Sequence, residues 1–313
     1  WWLLGKRKMD ELPFHKVFVD SRAASAGNAS SWEVTLPETL SLPRNAVCYV
    51  TDVAISHSFL PVDGVGAIGG ANDLVYFVEQ ASAGSDPRLC RAELAEGSYT
   101  AEELAAEMAT AMTASSWLRS SYSASYIPSL NVIRLVSSDG GFQLVNQDML
   151  RDAAFQDYFS TRSETVAGTF SVFWPSPGDC CGLLGLASGG SKNITFAALQ
   201  GVMVDVGLPG QGDTGHVDVR RRHAVYLHSQ ALANLRALGP GGSRTVLARV
   251  PVDTTFGAVL AKQHTGHPLD YQVCGGRTLR TLDFSVRDSF NRLVDLRGGH
   301  VSFELLFTPK PLI

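Results

Sequence analysis

Apolar and polar residues alternate most clearly near the end of the chain. In Leu279-Arg-Thr-Leu-Asp-Phe-Ser-Val-Arg287, Leu282, Phe284 and Val286 share one face, while Thr281, Asp283, Ser285 and Arg287 take the other. Val301, Phe303, Leu305 and Phe307 repeat the pattern. Period two with a single apolar face predicts half-buried antiparallel strands. Only a short, turn-rich stretch, Asp288–Gly299, separates them. They therefore read as the closing strands of a sandwich or barrel.

Similar signals occur early in the chain, at His15–Asp20, Trp32–Leu36, Ala46–Phe59 and Leu74–Glu79. The third is long and apolar on both faces. Val47, Tyr49, Thr51, Val53 and Ile55 lie on one, and Cys48, Val50, Asp52 and Ala54 on the other, as expected of a central strand. The texture then changes. Thr100 and Glu103 form a capping box ahead of Leu104, Met108 and Met112 at four-residue spacing, which predicts a helix over Ala101–Met112. Strands at Tyr122–Ile127, Asn131–Val136 and Phe142–Val145 and a helix over Asp148–Tyr158 complete an α+β texture. Strand patterns resume at His216–Arg220, His223–Ser229 and Arg244–Val252. The simplest architecture is mainly β, a single jelly-roll β-sandwich with an inserted α+β module and an extended N-terminal arm. Its parts are an arm over 1–14, a discontinuous sandwich over 15–79 and 211–313, and a module over 80–210. Two independent sequential domains are the alternative.

Composition fits a real core with many turns: 45% hydrophobic residues, 18% charged, 30 glycines and 14 prolines in 313 residues. A formal charge of −4 gives no global argument for nucleic acid or an anionic membrane. No apolar run approaches the ~20 residues of a membrane span. The chain begins without Met, so residues are missing upstream or the start is processed. Its five cysteines, Cys48, Cys90, Cys180, Cys181 and Cys274, are odd in number and lack a C-x-x-C spacing, so free thiols in a reducing compartment are expected.

Candidate chemistry is sparse. His264, His267 and Asp270 sit at three-residue intervals in a loop-like stretch, a weak metal pattern lacking a third strong ligand at fixed geometry. His223 and His228 have opposite parity on one strand and cannot cooperate directly. Nucleophile-elbow and phosphate-loop spacings do not occur. Glu102 and Glu103 are explained by the helix dipole. There is no positive case for an enzyme, and no cofactor is expected.

Two basic stretches are candidates for contacts. Arg220, Arg221 and Arg222 read as a solvated turn, or else as a contact to an acidic partner subunit or to nucleic acid. At the other end, Trp1, Trp2, Leu3 and Leu4 precede Lys6, Arg7 and Lys8. An exposed apolar tip is unfavourable in water unless a neighbouring subunit covers it, and the basic residues beside it suit packaged nucleic acid. A frayed terminus is the plain alternative.

Taken in order, several segments give the chain a resemblance to the penton, or minor capsid, proteins of virophages, Polintons and polinton-like viruses. They are Phe18-Val-Asp-Ser-Arg22, Trp32-Glu-Val-Thr-Leu-Pro-Glu38, Asn45–Ile55, Leu74-Val-Tyr-Phe77, Gly97–Leu104, Leu279–Phe284 and Asp295–Phe303. None is a catalytic signature. The resemblance implies a single jelly roll with an insertion, five copies of which close the vertices of an icosahedral double-stranded DNA capsid beside double-jelly-roll major capsid proteins. It implies no active-site residues. Two other classes remain open at this point: a host-attachment or carbohydrate-binding spike or fibre head, and a metal-dependent jelly-roll enzyme of cupin type.

Overall fold

The computed structural model describes residues 15–64, 71–81, 85–160, 164–165, 168–169, 181–184, 211–233, 238–263 and 271–310. Within them the first half of the chain forms β1 (His15–Asp20), β2 (Ala26–Asn28), β3 (Ser31–Ser41), β4 (Ala46–Ser56), β5 (Leu74–Gln80), β6 (Arg88–Glu93), α1 (Ala101–Ser115), β7 (Tyr122–Ile127), β8 (Val132–Ser137) and β9 (Gly141–Leu144). The rest forms α2 (Gln147–Arg151), α3 (Ala153–Phe159), β10 (Glu164–Thr165), β11 (Gly168–Thr169), β12 (Gln211–Asp213), β13 (Ala224–His228), β14 (Val246–Pro251), β15 (Val259–Lys262), β16 (Gln272–Val273), β17 (Thr278–Arg287) and β18 (Val301–Pro309). Two compact units result. One is built from the chain up to Phe59 and again from Arg222, the other from Leu60–Arg221.

The first unit holds two antiparallel sheets. One runs β1-β18-β4-β15, with β16 also paired to β4; the other runs β14-β13-β17-β3-β2. Their inner faces share one core. Val19, Ile55, Leu260, Phe303 and Leu305 come from the first sheet and Trp32, Val225, Val250, Leu282 and Phe284 from the second. This is the arrangement of a β-sandwich, and alternation along each strand supplies it. Phe284 joins the layers. Its ring lies 4.9 Å from Phe303 in an edge-on contact and 5.8 Å from Trp32. In the turn between β16 and β17, Gly275 is required by space, because a Cβ there would meet the Arg44 carbonyl oxygen at 2.0 Å.

Strict period two fails in β4 and in β3 for local reasons. Along β4, Cys48 shares the core with Val53 and Ile55, although their parities differ. A bulge reconciles them: Ser302 faces Ala54 and Glu304 faces Thr51, so Asp52 and Val53 together oppose Phe303. Asp52 takes φ 50°, the left-handed conformation that Asp tolerates better than most residues. The two faces expected from simple alternation are therefore exchanged at Asp52. In β3 the ladder to β17 jumps from Leu40↔Leu279 to Thr35↔Thr281. Pro37, which has no N–H to donate, sits in the excursion, and its carbonyl accepts from the Arg280 guanidinium at 2.8 Å.

The second unit is α+β. Its sheets run β6-β5-β9 and β12-β8-β7, with a short β10-β11 pair. Thr100 and Glu103 form the expected capping box, a motif contributing about 1 kcal/mol, and the helix extends to Ser115. Leu104, Met108 and Met112 pack with Phe77, Ile133 and Leu135. On the other side of β5, Tyr76 and Val78 pack with Met149, Leu150, Phe155 and Phe159. Burial on both faces explains the nearly continuous apolar run of β5. That strand was expected in the sandwich; it instead pairs with β6 and β9 in this unit. The helix expected over Asp148–Tyr158 is two short helices, because Asp152 ends α2 and caps α3 through the Phe155 amide at 2.9 Å. The strand expected over His216–Arg220 does not form. The ladder partner of β8 is β12, after which Thr214 Oγ1 accepts from Ile133 N at 2.9 Å and Val217 N donates to the Asn131 carbonyl at 2.9 Å.

One carboxylate sits in the middle of the second unit. Glu79 is fully buried. Its Oε1 accepts from Ser116 Oγ and Tyr122 Oη, both at 2.6 Å. Its Oε2 accepts from Leu118 N at 3.1 Å and Cys90 Sγ at 3.3 Å. Glu79 thus ties β5 to β6, to β7 and to the end of α1. Burial, followed by the Glu79 charge, pushes the Tyr122 phenol far up, so it stays protonated as a donor.

Candidate functional site

The candidate contact residues fall into two groups. Trp1, Trp2, Leu3, Leu4, Lys6, Arg7 and Lys8 lie outside the described residues. The three consecutive arginines do not form a uniformly solvated turn. Arg220 is exposed, with its guanidinium 3.9 Å from Asp218. Arg221 turns inward at φ 46° and donates at 2.8 Å to both Asp63 Oδ2 and Asn72 Oδ1. Arg222 is buried in the first unit, its guanidinium 5.5 Å from the centre of the Phe59 ring. A buried carboxylate at Asp63 needs a cation, which explains why a basic run is drawn inside.

The weak metal pattern of His264, His267 and Asp270 lies outside the described residues, and no group of three potential ligands occurs among those described. Cys48, Cys90, Cys181 and Cys274 are buried free thiols. Burial pushes the Cys274 thiol up to about 11, and Cys48 is raised for the same reason with Cys274 adding to it. Both are protonated at neutral pH and poor nucleophiles. Tyr122 is a core residue packed edge-on against Phe77 at 5.6 Å.

Two edges of the first sheet carry exposed apolar side chains. Phe18, on β1, is 78% exposed. At the opposite edge are Val259, on β15, and Phe256 just before it, 56% and 47% exposed. The ring of Phe256 leans on His57, 6.2 Å away.

The second sheet carries a polar pocket of about 370 Å³ on its outer face. Its floor comes from strand residues at outward parity, Asp283, Ser285 and Arg287 of β17 and His228 of β13. Its walls are loop residues, among them Arg244, Thr245 and Asn291. Arg287 is oriented by Nε donating to Ser285 Oγ at 3.2 Å and by Nη1 donating to the Asn291 carbonyl at 2.9 Å. Asp283 is committed: its carboxylate accepts from the amides of Gln230 and Ala231 at 2.8 and 2.7 Å. His228 is 3% exposed, and its Nδ1 lies 2.8 Å from Thr245 Oγ1. Its Nε2 is buried and has no hydrogen-bond partner among the described residues; the same is true of Asn291 Oδ1. These residues come from four separate segments, so sequence reading had only the parity of His228 to go on.

Burial, with Arg287 adding to it, depresses the His228 imidazole from its ordinary 6.5 to about 4. The folded protein holds His228 neutral where the unfolded chain would protonate it. Its contribution to stability is therefore complete above pH 6.5, falls as pH drops, and is fully lost near pH 4. The expected loss is about 2 kcal/mol, allowing for the solvent that reaches the pocket. Urea midpoints at neutral pH and near pH 4 should differ less in a His228→Gln variant than in the parent. Equal pH dependence in both would contradict this assignment.

No family model matches this chain, and no curated protein does. Among solved structures it is similar to the mavirus penton protein, at 10% sequence identity and a TM-score of 0.46, over 94% of this chain and 98% of that one.

Proposed function

We propose that this chain is a structural capsid protein, the penton at the five-fold vertices of an icosahedral double-stranded DNA virus, residing in the virion and assembled inside the host cell. The observation that carries the reading is strand order. Numbered along the chain, the eight main strands of the first unit, β1, β3, β4, β13, β14, β15, β17 and β18, pair as 1 with 8, 2 with 7, 3 with 6 and 4 with 5. This nested hairpin, rolled into sheets 1-8-3-6 and 5-4-7-2, is the order of a single jelly roll, an architecture recurrent in viral capsids. The second unit interrupts it between strands three and four. The fold alone does not specify a function; the ordered segments that resemble pentons supply the rest.

In this reading the chain is not an enzyme. Five copies close a ring through heterologous contacts, each using two different surfaces. The exposed Phe18 edge and the Phe256/Val259 edge suit such a head-to-tail contact, since each leaves apolar area uncovered in a single copy. The terminal arm with Trp1, Trp2, Leu3 and Leu4 ties neighbours together, and Lys6, Arg7, Lys8 and the exposed Arg220 face acidic partners or packaged DNA. The shell partner is a double-jelly-roll major capsid protein. Light scattering of the purified chain, alone and with that partner, should give a five-fold mass, and Phe18→Glu should shift it to the monomer. A monomeric or trimeric parent under both conditions would overturn the proposal.

A further inference from the structure

The pocket on the outer face of the second sheet has no part in ring closure as proposed, yet it gathers charged and buried polar groups. Its cationic groups are Arg287, fixed by Ser285 and Asn291, and Arg244 at the rim. Nε and Nη1 of Arg287 are the groups so held, and its Nη2 has no hydrogen bond to another of the described residues. The single carboxylate, Asp283, has both oxygens taken by backbone amides. With two guanidiniums, one carboxylate and a neutral imidazole, the pocket carries a formal surplus of one positive charge. Of its other lining residues, His228 Nε2 and Asn291 Oδ1 are buried without partners among the described residues. Asn291 Oδ1 can only accept, so its natural complement is a ligand hydroxyl or N–H. The neutral imidazole nitrogen can meet a hydroxyl as donor or acceptor. Buried polar atoms of this kind are costly unless something satisfies them.

We propose that this pocket binds a monoanionic hydroxylated carboxylate, its carboxylate held by Arg287 and Arg244 and its hydroxyls by His228 Nε2 and Asn291 Oδ1. The volume of about 370 Å³ suits a single sugar-sized acid. Guanidinium favours carboxylate through paired N–H donors, and the buried pair selects against simple acids that lack hydroxyls. An acidic sugar at the end of a glycan and a free open-chain hydroxy acid share this chemistry. The inference rests on the first unit alone and does not depend on assembly.

The test is calorimetric titration of the full chain with four probes: glucuronate, methyl glucuronide, gluconate and glucose. Glucuronate is expected to bind with a Kd on the order of 1 mM, and uncharged glucose at least tenfold more weakly. Binding of methyl glucuronide points to a glycan terminus and binding of gluconate to a free hydroxy acid; either supports the site. Arg244→Glu, an exposed rim change that spares the core, should abolish glucuronate binding, while Arg287→Gln should weaken it at least tenfold. No detectable binding of glucuronate overturns the proposal. So does glucose binding as tightly as glucuronate, or an Arg244→Glu variant that binds like the parent.

Discussion

Replacing Glu79 with alanine should destabilise the second unit by about 3–5 kcal/mol, the range expected when one partner of a buried charged network is removed. Four donors lose their acceptor at once: Ser116 Oγ, Tyr122 Oη, Leu118 N and Cys90 Sγ. The carboxylate they surround is fully buried, and three of the four hydrogen bonds lie in the interior. A buried donor left unsatisfied costs more than a hydrogen bond contributes when made. Glu79→Gln keeps the shape but presents an amide N–H where an acceptor is needed, so it should fall between the parent and Glu79→Ala. Calorimetric unfolding that detects both units should show the second melting earlier while the first is unmoved. An unchanged scan for Glu79→Ala would show that the network carries no net stability.

Phe284→Ala should cost the first unit about 3–5 kcal/mol, combining lost burial with the cavity left behind. The ring is 1% exposed and touches Trp32 within its own sheet and Phe303 across the sandwich, so its removal opens a gap between the layers. The neighbours cannot close that gap, because the strands holding them are fixed by their ladders. Phe290→Ala provides the contrast. That ring is 75% exposed, and its loss should change the chemical denaturation midpoint little. A Phe284→Ala midpoint equal to the parent's would mean that the core collapses into the space.

Much of this was legible because alternation and capping are local. Leu282, Phe284 and Val286 on one strand, and Val301, Phe303, Leu305 and Phe307 on another, announce their inner faces through spacing alone, and all are buried. Thr100 and Glu103 announce the start of α1 in the same way. The exchange of faces at Asp52 was hidden, because a bulge depends on the partner strand: nothing around Asp52 says that Phe303 will span two residues. The inward turn of Arg221 was hidden too, since its reason is Asp63, more than a hundred residues away in the chain.

The sequence by itself determined the first helix, the long strands β17 and β18 with their apolar faces, and that an α+β stretch interrupts a β texture. These follow from periodicity and caps, which act over a few residues. Only the tertiary structure decided that β5 belongs with β6 and β9, that Glu79 collects four donors, and that Arg244, Arg287, His228 and Asn291 meet around one pocket. Those outcomes come from long-range pairing, where register and loop closure bring distant segments together. Charge and hydrogen-bond demands then act on whatever the pairing has placed side by side.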